Sequence, residues 1–275
     1  MSVYSKISQK LDFWTREIRF IPKHVRYAIS SVLAGLLMSL AVTVSFEYIF
    51  FTLPIFMLLV YWLVWFAIYE NIDRVEWAML FVLPVLWALE WYVFFYMIPV
   101  RWLTRVAFSL VFGGMFYVLV SVENIYNVGV EKNIQLQKAA TTVSTIFLVG
   151  LSYIAFQVIA SFELYFFITA IIIGVVSWIF AIKFFWTADP KLHIDKWQIS
   201  MSNLTSICMF FVSIILTFIP FSSETTRPVV LAGVFYMLTN LFSESRDVIL
   251  FRLKRREFII VFIAIVVIML ATLQK

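Results

Sequence analysis

Apolar positions in this chain fall in long unbroken runs rather than in alternation. Nine stand out, at about 27–46, 48–69, 77–98, 103–123, 140–160, 163–185, 199–220, 228–243 and 258–273, most of them near or above the ~20 residues a helix needs to cross a bilayer. Barrel strands would alternate over roughly ten residues, so these runs predict helices. The eighth run is short and is expected to extend through Asn240 and Glu244 to reach the membrane surface. The expected fold class is an all-α polytopic integral membrane protein with about nine transmembrane helices. With 63% hydrophobic and 13% charged residues, almost nothing is left for a soluble domain.

The first 25 residues follow a different pattern. Tyr4, Ile7, Leu11, Trp14, Ile18 and Ile21 recur at helical spacing, while Lys6, Lys10, Arg16 and Arg19 lie largely elsewhere around the turn. This predicts an N-terminal amphipathic interfacial helix, lying on an anionic cytoplasmic leaflet or docked on a partner or on the protein's own cytoplasmic face. Charges throughout the segment argue against a cleavable signal peptide.

The runs also repeat. SFEYIFF at Ser45–Phe51 returns as SFELYFF at Ser161–Phe167, and GMFYVL at Gly114–Leu119 returns as GVFYML at Gly233–Leu238, at offsets of 116 and 119 residues. Phe66–Ile68 with Phe180–Ile182, and Ile98–Pro99 with Ile219–Pro220, fall between them in order, which points to an internal duplication. The expected organisation is a cytoplasmic arm (1–25), a first four-helix repeat (26–127), a cytoplasmic connection (128–139), a second four-helix repeat (140–247), and a basic connection with a ninth helix (248–275). An even number of crossings per copy makes the two repeats parallel, related by an axis along the membrane normal. The landmarks are Glu47 and Glu163 in matching outer turns, and Gly114, Tyr117, Gly233 and Tyr236 in helices 4 and 8. The glycines are expected to bring those two helices together near the pseudo-axis. Pro54 and Pro84 have no counterpart in the second copy, so the first should be the more kinked.

Charge sets the orientation. Counting Lys183 with the 6–7 connection, 17 Lys and Arg residues fall on one side of this topology and four, Arg101, Arg105, Arg227 and Lys275, on the other. The chain is therefore expected in the plasma membrane, multi-pass, with its N-terminus cytoplasmic and its C-terminus extracytoplasmic. The net charge of +5 is spread over membrane-edge loops and implies no nucleic-acid partner. Cys208 is alone, and His24 and His193 lack neighbours at metal spacing.

Charged groups inside the apolar runs are the candidate chemistry. Glu90 is the deepest, placed roughly 12 Å below the outer end at ~1.5 Å per residue, with Arg101 or Arg105 as an expected partner. A second set, Glu123, Asn127, Asn240 and Glu244, follows the two Gly-x-Phe-Tyr segments and is expected to line a polar cavity at the cytoplasmic surface. A third set lies in the cytoplasmic connections: Glu70, Asp73 and Glu76 in YENIDRVEW, with Asp189 and Asp195 in TADPKLHIDKW. These are oxygen ligands of the kind Mg²⁺ takes.

In this organisation the chain resembles the UbiA-type intramembrane prenyltransferases. That resemblance implies aspartate-rich loops holding Mg²⁺ and a prenyl diphosphate. The motif departs from the family's pattern. ENIDRVE stands where Asn-Asp-x-x-Asp-x-x-x-Asp is expected, Asp73 and Glu76 are loose counterparts, and Asp189 and Asp195 are too widely spaced, so membership is not assigned.

Three functions follow as expectations. The first is a noncatalytic inner-membrane scaffold, assembly factor or subunit of a membrane complex, with membrane lipids and a membrane-protein subunit or second copy as partners. The second is a small-solute or ion carrier or channel with Glu90 in its path. The third is a Mg-dependent lipid or prenyl transferase with a cytoplasm-facing site. The chain is expected to be noncatalytic, and only the transferase reading calls for a cofactor, Mg²⁺.

Overall fold

A computed structural model describes residues 21–69, 76–98, 102–129, 134–223, 225–244 and 248–273. The amphipathic segment expected at the N-terminus lies almost wholly outside them. Among the described residues the chain is all-helical, with nine α-helices: α1 Lys23–Ala41, α2 Ile49–Ile68, α3 Trp77–Phe95, α4 Trp102–Gly129, α5 Ile134–Ser161, α6 Phe166–Ala188, α7 Lys196–Thr217, α8 Thr226–Glu244 and α9 Val248–Thr272. The first seven are long and apolar enough to cross a bilayer, some extended by a turn or trimmed at an end, which is the make-up of a multi-pass membrane protein. Among the described residues of α9, Ile259–Thr272 forms an apolar segment shorter than the first seven.

Side chains at two ends of the bundle tie the helices off. At one end, called the base, Asn127 Nδ2 donates to Ile68 O at 2.9 Å and Ser30 Oγ donates to Leu63 O at 3.1 Å. At the opposite end, the crown, Tyr96 donates to Val44 O at 3.0 Å. Ser45–Glu47 and Ser161–Glu163 both lie at short crown turns, between α1 and α2 and between α5 and α6. Gln198 closes the base end of α6, donating to Phe185 O at 3.3 Å and Asp189 O at 3.1 Å, while its Oε1 accepts from the Asp195 amide at 3.0 Å. These bonds supply partners for the last carbonyls of one helix and the first amide of the next, groups that helix geometry leaves unpaired.

In the first half, α1–α4, α1 packs chiefly on α4 and also on α2, with α3 against α2 and α4. In the second, α5–α8, α5 packs on α8 and α6, with α7 against α6 and α8. The halves meet along a seam where α3 and α4 face α5 and α3 faces α6. The pairing expected between α4 and α8 is not among these principal contacts. Each of those helices instead lies against the first helix of its own half, and α8 also carries α9.

The close approach in the first half is made by a glycine next to the expected one. A Cβ built on Gly113 would sit 3.0 Å from Ser31 O, and one on Gly35 would sit 3.3 Å from Ser109 O, whereas Gly114 has open space around it. Small residues there let two backbones touch where side chains would hold them apart. Gly233 faces Ile265 of α9 at 3.0 Å, and Tyr117 is exposed. Pro54 and Pro84 lie inside the continuous helices α2 and α3.

Candidate functional site

The seam between the halves differs at its two ends. At the base it is polar and dry. Lys183 of α6 places its Nζ 2.8 Å from Glu123 Oε2 of α4 and donates to Met79 O of α3 at 2.7 Å, and both charged side chains are fully buried. Aromatic faces complete the ammonium's surroundings, Trp186 at 4.7 Å and Tyr126 at 5.6 Å from ring centre. Beside it the Tyr126 hydroxyl bonds across the seam to Ser144 at 3.3 Å and Thr141 at 3.4 Å on α5. The Glu76 amide adds a further link, donating to Lys191 O at 3.3 Å.

This cluster corrects the sequence reading of Lys183. It is not a loop cation, because it lies inside α6, five residues or about 7.5 Å short of Ala188. The signal that could have shown it is a cation inside an apolar run: Lys183 shares a helical face with Phe180, Phe184 and Thr187, and every residue from Phe180 to Thr187 is buried. Glu123 belongs to the matching stripe on α4, with Phe112, Phe116, Leu119 and Val120. Opposite charges on two facing apolar stripes are more economically explained as a pair than as two solvated ends.

The four residues expected to share a polar cavity do not all come together. Glu123 and Asn127 are one turn apart and buried at the base. Asn240, half-buried on α8, donates to Tyr236 O of its own helix at 2.8 Å. The side chain of Glu244 lies outside the described residues.

Toward the crown the same seam opens into an apolar cavity of about 400 Å³ between α2, α3, α5 and α6. Leu53, Leu86, Val158, Ile159, Val176 and Phe180 line it, and Phe46, Phe50 and Phe162 stand exposed around its mouth. Glu90 is its one charged residue, only 7% exposed, and Oε2 has no hydrogen-bond partner. The expected ion pair with Arg105 is not formed, and Arg101 lies outside the described residues. Glu90 is also shallower than the sequence suggested, since α3 ends at Phe95, about 7.5 Å further on.

The acids considered as metal ligands are only partly described. Glu70 and Asp73 lie outside the described residues. Glu76 Oε2 is 3.8 Å from His193 Nδ1, and Asp189 and Asp195 both pair with Lys191, the former at 3.0 Å. The hydrogen bonds to Asp195 and then Asp189 hold the Lys191 ammonium above the usual lysine range. That small surface contribution is present at neutral pH and is lost as pH rises through the raised value. Glu47 and Glu163 are exposed at the crown, and Glu163 has a positive φ of 48°.

Comparison with known proteins gives no match: no family model fits the chain, and neither a curated protein nor a solved structure resembles it significantly.

Proposed function

We propose that the chain is a noncatalytic membrane scaffold or complex subunit that holds a lipid-like amphiphile in the seam between its halves. One observation carries the reading: a lone buried carboxyl, Glu90, lies on the wall of an apolar cavity at the crown end, while Lys183 and Glu123 shut the base end. A volume of about 400 Å³ falls in the usual range of ~300–1,000 Å³ for small-molecule sites. Its lining suits a hydrocarbon chain. Its unpartnered oxygen suits a head that donates a hydrogen bond, an amine or a hydroxyl. The exposed ring of Phe46, Phe50 and Phe162 offers a way in from the bilayer.

The test uses the purified protein in nanodiscs with decylamine, decanol and decane as probes. The two donor-bearing probes should bind, and Glu90→Gln should weaken decylamine roughly tenfold, the equivalent of ~1.4 kcal/mol for one charge-assisted hydrogen bond. Equal binding of all three probes, or no effect of Glu90→Gln, would remove the reading. A carrier with Glu90 in its path is the second reading, favoured by the cavity's position between two halves. It requires the base to open, so decylamine uptake into proteoliposomes that tracks loss of the Lys183–Glu123 pair would favour it. The Mg-dependent transferase gains no support from Asp189 and Asp195, whose carboxylates are engaged by Lys191.

The finer organisation is part of the same proposal. The two halves use the same set of packing partners, first helix with second and fourth and third helix with second and fourth, which supports a duplication of parallel four-helix units, although α6 with α7 is the most extensive pairing of the second half. The SFE segments at corresponding crown turns support it too. Nine crossings with a cytoplasmic N-terminus place the base in the cytoplasm. The charge bias survives the reassignment of Lys183, leaving 16 against four.

A further inference from the structure

A second cavity, of about 760 Å³, lies at the crown, lined by the second half and by Met97 of the first, apart from the Glu90 seam and on the other side of α5. Its walls come from the crown ends of α5 and α6, the α7–α8 connection and the start of α8. Phe156, Ile173, Ile219 and Leu231 make part of it apolar. Four of its hydroxyl groups are already occupied: Ser161 donates to Val158 O at 2.7 Å, Thr169 to Leu164 O at 3.2 Å, Thr217 to Ser213 O at 2.9 Å, and Ser223 pairs with Thr225 at 2.8 Å.

Two polar groups are not. Arg227 Nε and Gln157 Oε1 are buried atoms of the lining, and neither has a hydrogen-bond partner. One is a cationic donor and the other a neutral acceptor, and no group of the lining is bonded to either atom. Leaving both unmet is costly for buried groups, and a ligand carrying both functions would offset that cost. Glu163 also lines this cavity, an exposed carboxylate held at left-handed φ where most residues are strained. A cation, an acceptor and a carboxylate around one partly apolar space form the complement of a zwitterion.

We propose that this crown cavity binds a small zwitterion bearing an oxyanion and a primary amine, the oxyanion on Arg227 and the ammonium donating to Gln157 with Glu163 nearby. A soluble phosphoethanolamine and a phosphatidylethanolamine head group share that chemistry. Phosphocholine does not, because its quaternary nitrogen has no N–H to give Gln157.

Calorimetry on the protein in phosphatidylcholine nanodiscs tests this with both soluble head groups. Phosphoethanolamine should bind at least tenfold more tightly than phosphocholine. Arg227→Gln should abolish binding while Arg227→Lys keeps part of it, and Gln157→Leu should erase the preference between the two. If the lipid is the natural source, nanodiscs containing phosphatidylethanolamine will suppress the soluble ligand's binding; if the source is soluble, they will not. Equal affinity for the two head groups, no binding of either, or phosphoethanolamine binding unchanged in a folded Arg227→Gln protein would each overturn the proposal.

Discussion

Lys183→Met is expected to lower the protein's stability by about 3–5 kcal/mol, the usual cost of stripping one partner from a fully buried ion pair. The loss arises because Glu123, with no exposure to water, keeps its carboxyl while losing the ammonium 2.8 Å away. Met79 O loses its donor as well. The aromatic faces of Trp186 and Tyr126 contribute less, since methionine still packs against them. A companion variant separates charge from shape. Lys183→Met combined with Glu123→Leu removes both charges and should recover most of the loss, because well-packed apolar pairs often match buried ionic ones. Denaturant titration of the purified protein in detergent reads both. A single variant as stable as wild type, or a double variant no better than the single, would show that the pair is not the lock described.

Gly113→Leu is expected to cost about 1–3 kcal/mol, the usual range for overpacking a close contact, and more if α1 and α4 separate along their length. Its Cβ alone would stand 3.0 Å from Ser31 O and its branch would meet Gly35, both of them backbone neighbours that cannot swing aside. Gly114→Leu is the control. That position faces open space one residue away, so the same substitution there should leave the thermal midpoint nearly unchanged. Equal behaviour of the two variants would mean that the α1–α4 crossing is looser than its geometry.

The contrast between those glycines shows where the sequence was readable. Continuous apolar runs marked out the helices, because a chain that hides its backbone from lipid has few other choices. α8 reaches Glu244, as its flanking polar residues suggested. Faces were harder to read. The Gly-x-Phe-Tyr repeat drew attention to Gly114, but a rotation of one residue, ~100° around a helix, decides whether a glycine meets backbone or lipid. In a run that is apolar on every side, periodicity does not say which. Glu90 and Glu123 are both legible as intramembrane polar groups, yet Glu123's partner is not, and the cation expected beside Glu90 does not pair with it. Lys183 stands inside a run yet reads as part of the adjoining loop, because a cation near a helix end satisfies the charge rule as well as it satisfies a distant carboxylate. The partner comes from α4, 60 residues away in sequence, and no local pattern encodes that distance.

The unequal seam also has a mechanical consequence. Its charge pair and several of its cross-links gather at the base, where Lys183, Tyr126 and the Glu76 amide reach from one half to the other. Around Glu90 the halves are held by dispersion between Leu, Val and Phe side chains, with space left over. Parting an apolar contact loses only about 0.1–0.2 kcal/mol per atom pair and leaves no group unpaired, whereas opening the base strands a buried ammonium and a buried carboxylate without their partners. The bundle is thus built like a clothes-peg, pivoting near its charged end and yielding at its greasy one. Thermal breathing should widen the crown long before the base lets go.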